Sequence, residues 1–273
     1  MTIPKKTLPA LDDFKPLLSE NLKEFTAKGH TLVRGVLSAD ELAVYRPAIV
    51  AAAGKFNNEK RDMQERDTYG KAFLQIMNLW RVDEDVAKFV LAKRLAKIAA
   101  NLLGVENVRI YHDQALFKEP GGGPTPWHQD QYYWPIDTPK TITLWMPLVD
   151  IDVTMGMLTF ASGSFNRGPV FDFEISDESE TAFEDYVAAN QFPIWRASAM
   201  QAGDATFHLG YTIHNAPGNQ SDKMREVMTI IYVADGARVA QPRHKWQVND
   251  HAKWLMNKPV GELIDSELNP KVL

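Results

Sequence analysis

From Val108 onward the chain is built of short apolar runs, and this restricts its fold more than any other feature. The runs span 108–117, 141–149, 158–160, 205–207 and 227–233, with Gly, Pro, Asn and Asp between them. Runs this short, so punctuated, are strands joined by turns. Pro120-Gly121-Gly122-Gly123-Pro124 is the strongest breaker. The run at 141–149 opens with Thr alternating with Ile142 and Leu144, the pattern of a strand with one face in a core. Strands of this number and length predict a mainly β fold with a sandwich or barrel of jelly-roll type.

The first third reads differently. Ser38 and Glu41 have the spacing of a capping box, and Leu42, Tyr45 and Ile49 follow at helical spacing. A helix is predicted over 39–53, kinked or split by Pro47. A short strand is predicted over 30–37. Val86, Phe89, Val90, Ile98, Leu102 and Leu103 predict one further amphipathic helix, with Gly104 as the residue ending it. The stretch 176–190 reads as a helical insertion with an acidic first turn. The expected organisation is a single domain over 1–273. It has a helical part (1–104), a jelly-roll core carrying the insertion (105–240) and a polar extension (241–273) docked by Trp246 and Trp254.

Composition narrows the chemistry. The 273 residues include no Cys, which removes disulfides, thiolate metal sites and a Cys nucleophile. His, Asp and Glu remain as metal ligands. A net charge of -5 gives no reason to expect nucleic acid or an anionic membrane as partner. Lys5 and Lys6 have no apolar run behind them, so no signal peptide is expected. A cytoplasmic enzyme acting on a small molecule, as monomer or homodimer, is the expectation.

Trp127-His128-Gln129-Asp130 carries the sharpest chemical signal. On an extended chain His128 and Asp130 point to one face, so both can grip one metal ion. A surface His-x-Asp pair arises easily by chance. Here a Gly-rich loop precedes the pair, and Trp127, Tyr132, Tyr133 and Trp134 flank it with aromatic walls. A second His from a distant strand completes the 2-His-1-carboxylate set of non-heme Fe(II) oxygenases. His208 and His214 are the candidates. His214 is preferred because the turn Asn215-Ala216-Pro217-Gly218-Asn219 follows it at once. Arg225 lies where a hairpin brings its guanidinium back beside the metal, suited to bidentate grip on a carboxylate. An ion pair with Glu226 is its ordinary alternative. Ser221 could donate to the same carboxylate, and on spacing alone it reads as a turn residue.

The order of these pieces resembles the phytanoyl-CoA dioxygenase family. The matching run begins at Leu116-Phe117-Lys118-Glu119-Pro120-Gly121 and passes through Trp127 to Pro135. It continues with Thr141-Ile142-Thr143-Leu144-Trp145, then Gly156-Met157-Leu158-Thr159-Phe160 and Gly163-Ser164. It closes with Gly203-Asp204, His214, Asn219-Gln220-Ser221 and Arg225. The resemblance implies a double-stranded β-helix and an oxygenase that uses Fe(II), 2-oxoglutarate and O2. It implies iron ligation by His128, Asp130 and His214, and binding of the distal carboxylate of 2-oxoglutarate by Arg225 and Ser221. Lys118, Gln129, Thr143 and Trp145 match positions that line the cosubstrate pocket. An intact carboxylate at Asp130 argues against halogenation, which needs a small residue there. Phe165 stands where many members carry His, so no role is transferred to it.

The expected reaction is oxidation, foremost hydroxylation, of an unactivated carbon, with release of succinate and CO2. The alternative is a non-catalytic jelly-roll protein that binds metal or 2-oxoglutarate. Tyr69, Gln75, Asn78, Trp80, Tyr111 and Gln114 are substrate-side candidates. The insertion 176–190 and the stretch 192–195 are candidate lids.

Overall fold

A computed structural model describes residues 8–170 and 174–273. The first third holds α1 (Ser19–Lys28), β1 (His30–Val33), α2 (Ala39–Phe56), α3 (Thr68–Ala72) and β2 (Leu74–Met77), then α4 (Glu84–Val90) and α5 (Lys93–Leu103). The core follows with β3 (Val108–Phe117), β4 (Thr125–His128), β5 (Thr141–Pro147), β6 (Ile151–Asp152) and β7 (Thr159–Ala161). After α6 (Asp177–Ala189) come β8 (Ile194–Arg196), β9 (Ala199–Met200), β10 (Ala205–Leu209), β11 (His214–Ala216) and β12 (Val227–Ala234); α7 (Lys245–Trp254) is the last helix.

Six strands form the larger sheet in the order β1-β10-β5-β12-β3-β2, and four form the smaller one in the order β4-β11-β7-β8. The pairings between these strands are antiparallel. The fold is mainly β with flanking helices around a jelly-roll core. β1 and β2 come from the first third, so that part supplies both edges of the larger sheet as well as helices.

Alternation along the central strands sorts the two faces of the larger sheet. Ile142, Leu144 and Met146 of β5, Phe207 of β10 and Met228, Ile230 and Tyr232 of β12 face outward, into a core shared with α2, α4 and α5. The intervening residues Thr143, Trp145, His208 and Thr229 line a cavity on the other face. The inner face is therefore polar, and it is where the chemistry is positioned. Among the described residues no helix is long and apolar enough to cross a membrane.

Two helical expectations change. α2 runs through Pro47 without splitting. Proline inside a helix costs about 3 kcal/mol, and complete burial of Tyr45 and Ile49 on either side offsets it. The capping box forms as read: the Glu41 N–H donates to Ser38 Oγ at 3.2 Å and Ser38 N–H to Glu41 Oε2 at 2.8 Å. The helix predicted over 86–103 is instead two. Ala92 between them is extended, and Arg94 then donates to Glu41 at 2.7 and 2.9 Å, which ties the second helix to the cap of α2. Gly104 ends α5 in the left-handed region, at φ 63°.

Candidate active site

His128 is the last residue of β4, and Asp130 opens a 3-10 turn (Asp130–Tyr133) rather than continuing the strand. The alternation still carries across, because Gln129 between them is extended at φ -118°, ψ 125°. His214 opens β11 directly opposite His128 in the antiparallel ladder. One Asp130 oxygen, Oδ1, lies 3.5 Å from His128 Nε2 and 3.7 Å from His214 Nε2. One ligating atom from each of the three residues lies within 4.8 Å of the others.

The second ring nitrogens settle which atoms face inward. His128 Nδ1 sits 2.7 Å from the Pro126 carbonyl and His214 Nδ1 2.9 Å from the Thr212 carbonyl. A carbonyl oxygen only accepts, so each Nδ1 carries the proton and each Nε2 keeps its lone pair for a metal. Burial, helped by His128 and His208, pushes the His214 imidazole well below its ordinary range, so it is neutral. Burial works against a charged Asp130, but His214, His128 and His208 outweigh it and hold the carboxyl well below its usual range. Neutral imidazoles and an ionised carboxylate are the states that ligate a metal. Two nitrogens and one oxygen on one side of an ion leave its other positions open, and this donor set fits Fe(II).

His208, the other candidate for the distal ligand, has a different place. It lies on β10, paired with Thr143 of β5. His208 Nε2 is 3.2 Å from Asp130 Oδ2, and Thr143 Oγ1 donates to that oxygen at 2.9 Å. The larger sheet thus holds one carboxylate oxygen and leaves the other turned toward the two ligand histidines.

Two basic side chains are buried together, one of them beside this centre. Lys118 and Arg225 face each other across an isolated antiparallel bridge, each N–H donating to the other's carbonyl at 2.9 Å. Arg225 is 2% exposed and Lys118 0%. The guanidinium donates to the Gly156 carbonyl and lies 5.3 Å from the Trp145 ring, while its Nε has no partner among the described residues. The Lys118 ammonium donates to the Gly123 carbonyl. Glu226 pairs instead with Arg46, at 2.6 and 2.8 Å, so the ordinary reading of Arg225 does not hold. Burial draws Arg225 down to about 9. Burial, then Arg225 itself, draws Lys118 down to about 6. A buried guanidinium without a carboxylate is costly, and an entering carboxylate removes that cost. Gly156 allows the approach. It sits at φ 76°, and a Cβ there would fall 2.4 Å from the Pro217 carbonyl.

Three residues expected at the cosubstrate pocket do not line the cavity: Lys118 is bonded to the Gly123 carbonyl, and Gln129 and Ser221 are used elsewhere. Gln129 points away from the metal side: its amide donates to the Gly168 and Tyr211 carbonyls at 2.8 and 2.7 Å, and its oxygen accepts from Val170 N–H at 3.0 Å. The same alternation that joins His128 to Asp130 turns the residue between them outward. The Ser221 hydroxyl donates to Asn219 Oδ1 at 2.7 Å within its own turn. It lines a separate surface depression, not the cavity that holds Arg225. Thr143 and Trp145 do line that cavity.

The cavity has a volume of about 670 Å³. Tyr69, Gln75 and Gln114 line it, with the Gln75 amide donating to Tyr69 at 3.0 Å and to Gln114 at 2.6 Å. Asn78 and Trp80 lie outside it, on the turn that Asp113 caps through Leu79 N–H at 3.1 Å. Of the candidate lids, Ser176 and Asp177 at the start of α6 reach the cavity, whereas β8 is a strand of the smaller sheet. Sequence reasoning missed His112 and Asp250, both cavity-lining. The only signal was four consecutive polar residues, Tyr111-His112-Asp113-Gln114, inside a strand with apolar ends.

A jelly-roll barrel with a His-Asp-His metal centre and an unpaired buried Arg beside it defines a 2-oxoglutarate-dependent non-heme iron oxygenase. Residues 25–227 match the phytanoyl-CoA dioxygenase family (PhyH), and the chain belongs to that family. A probable alpha-ketoglutarate-dependent hypophosphite dioxygenase from Stutzerimonas stutzeri is 23% identical over 231 residues, covering 81% of this chain and 80% of that protein. The non-heme alpha-ketoglutarate-dependent carbocyclase SnoK from nogalamycin biosynthesis superposes with a TM-score of 0.78 at 25% identity, covering 94% of this chain and 97% of that one. The epimerase SnoN, solved with Fe3+, alpha-ketoglutarate and nogalamycin RO, has a TM-score of 0.75 at 22% identity, covering 93% of this chain and 98% of that one. The protein is therefore a 2-oxoglutarate-dependent non-heme iron dioxygenase, with Fe(II), 2-oxoglutarate and O2 as its cofactor and cosubstrates.

Proposed function

We propose that the enzyme oxidises an unactivated carbon of a small organic molecule, foremost by hydroxylation. The balanced reaction is RH + 2-oxoglutarate + O2 → ROH + succinate + CO2. His128, Asp130 and His214 would hold the iron, which when bound supplies the activation of O2 against the 2-oxo acid. The observation that carries the reading is the buried Arg225, which has no carboxylate partner among the described residues and lines the same cavity as that centre.

In this reading Arg225 takes the distal carboxylate of 2-oxoglutarate, and Lys118, bonded to the Gly123 carbonyl, packs against the strand that carries it. Trp145 forms the wall between that carboxylate and the metal centre. Thr143 and His208 keep Asp130 aimed. Tyr69, Gln75 and Gln114 bound the space left for the substrate. SnoK and SnoN come from nogalamycin biosynthesis, and a role in secondary metabolism is proposed on that likeness. A cytoplasmic location, action as monomer or homodimer, and no nucleic-acid partner complete the reading.

The test loads protein anaerobically with Fe(II) and 2-oxoglutarate, confirms the visible charge-transfer band, and admits O2. Succinate is expected to accumulate slowly without substrate, and not in His214→Ala. A loaded protein yielding no succinate above that variant would instead be a 2-oxoglutarate sensor.

A further inference from the structure

The cavity has a second polar end, away from Arg225. In β3 the register with β12 shifts: Ile231 pairs with His112 and Tyr232 with Ile110, so Tyr111 is an extra residue. Such a bulge re-aims side chains. Ile110 stays in the outer core, while Tyr111 and His112 both turn to the inner side. Tyr111 Oη there donates to Asp250 Oδ2 at 3.2 Å, and Asp250 is a buried cavity-lining residue of α7. His112 packs against Trp254 at 5.6 Å and Trp134 at 6.4 Å. Its Nδ1 has no partner among the described residues, although the residue is only 3% exposed.

The charges of the cavity wall are uneven. Arg225 and Lys253 are its only cations among the described residues, against Asp67, Asp130, Glu174, Asp177 and Asp250. Arg225 is taken by 2-oxoglutarate, and Lys253 is exposed. Asp130 serves the metal, Asp67 caps α3 by accepting from Gly70 N–H, and Glu174 pairs with Lys245 at 3.2 Å. Asp250 is left as the buried acid with no Lys or Arg among the described residues within salt-bridge distance. Among the described residues, an anionic substrate would find only the exposed Lys253 in this half of the cavity. A basic nitrogen would find a carboxylate with the indoles of Trp134 and Trp254 in the same wall, and aromatic rings attract cations.

We propose that the substrate is a ring-containing small molecule with a basic nitrogen, bound through that nitrogen by Asp250 in the aromatic pocket of Trp134 and Trp254. This deepens, and rests on, the oxygenase reading. His112 offers its unpartnered nitrogen to a second polar group of the substrate. Burial draws the His112 imidazole down to about 3, so it is neutral and brings no positive charge to Asp250. Burial likewise pushes the Asp250 carboxyl up to about 7, with Tyr111 pulling the other way. An ammonium in the pocket restores the carboxylate.

The test compares three ring probes of similar size by anaerobic calorimetry at neutral pH: cyclohexylamine, cyclohexanol and cyclohexanecarboxylate. The protein carries Fe(II) and 2-oxoglutarate, and the charge-transfer band reports that loading separately. The amine is expected to bind at least about tenfold more tightly than the alcohol, with the carboxylate weakest. Asp250→Asn, which keeps an acceptor for Tyr111, is expected to erase the amine preference, and Trp254→Leu to reduce it. Equal binding of the three probes, or a preference that survives Asp250→Asn, overturns the proposal. A normal band without amine preference sinks this inference alone. A missing band sinks the oxygenase reading, and the probe series still decides whether Asp250 binds amines.

Discussion

Arg225→Met separates the two consequences of burying an unpartnered cation. Burial lowers the Arg225 pKa from the ordinary arginine value to about 9. Taken at 1.36 kcal/mol per unit, that bounds the cost of its charge in the empty fold at roughly 4–5 kcal/mol. Relaxation and entering water reduce it, and the lost bond to the Gly156 carbonyl offsets part, leaving a net gain of about 1–2 kcal/mol for the apoprotein variant. The sign follows from the depressed pKa of a base. The cost is fully present at pH 7, below both values, and is relieved only as pH rises through about 9 toward the ordinary arginine range. Binding responds in the opposite direction. Truncating one partner of a buried charge pair costs about 2–5 kcal/mol, so 2-oxoglutarate affinity should fall by roughly 30-fold or more. Anaerobic titration of the charge-transfer band gives the affinity, and urea midpoints without and with 2-oxoglutarate give the stability. Wild type should gain about 2.7 kcal/mol at 100 Kd of cosubstrate, and the variant nearly nothing at that concentration. An Arg225→Met protein that binds 2-oxoglutarate within threefold of wild type would refute the anchor. One that is several kcal/mol less stable when empty would refute the stored cost.

His128→Ala and His214→Ala should each weaken Fe(II) far more than 100-fold, read by anaerobic metal titration, since each removes one of three ligands. His208→Phe leaves all three ligands but frees Asp130 Oδ2, which accepts at 3.2 Å. Fe(II) affinity should fall about 10- to 100-fold, less in Thr143→Val, and an unchanged affinity in both would remove their role in aiming Asp130. Glu41 is held down at about 2, chiefly by its bond from Arg94. Its contribution is present above pH 4.5 and lost as pH falls toward 2, so Glu41→Gln should cost about 1–3 kcal/mol at pH 7 and little at pH 2. Urea midpoints at the two pH values check this, and an equal loss at both would show the pair contributes packing rather than charge.

The metal centre was legible because its logic is local. Extended backbone at Gln129 sends His128 and Asp130 to one side, whatever strand they later join. The same rule, followed one step further, turns Gln129 itself away from the site. The inner face of β5 was legible for the same reason, through Thr143 and Trp145. Several short strands were not: β2, β4 and β11 are three or four residues each, too short for periodicity to speak. The break between α4 and α5 depends on Arg94 reaching Glu41, a contact made across 53 positions of sequence. His208 was visible as a histidine of the right region, but its place behind Asp130 follows from β10 pairing with β5.

The far wall of the cavity was hidden by a different kind of cause. Strict alternation from Val108 would put Ile110 and His112 on one face, in the apolar core. The extra residue at Tyr111 breaks that pattern, and a bulge is a property of the register between two strands rather than of either sequence. A polar run inside an apolar strand is the trace it leaves, because Tyr111 and His112 would be costly to bury on the helix side without partners. Asp250 adds the second half of the argument. On α7 alone it is one acid in a polar helix, and only docking of that helix over the bulge gives it Tyr111 as a donor. The candidate iron centre is thus encoded by a spacing, whereas the proposed substrate pocket is encoded by two elements more than a hundred residues apart that meet at one irregularity. A close relative could keep the first and change the second by altering α7 or the bulge, and would then be expected to keep the reaction and change its substrate.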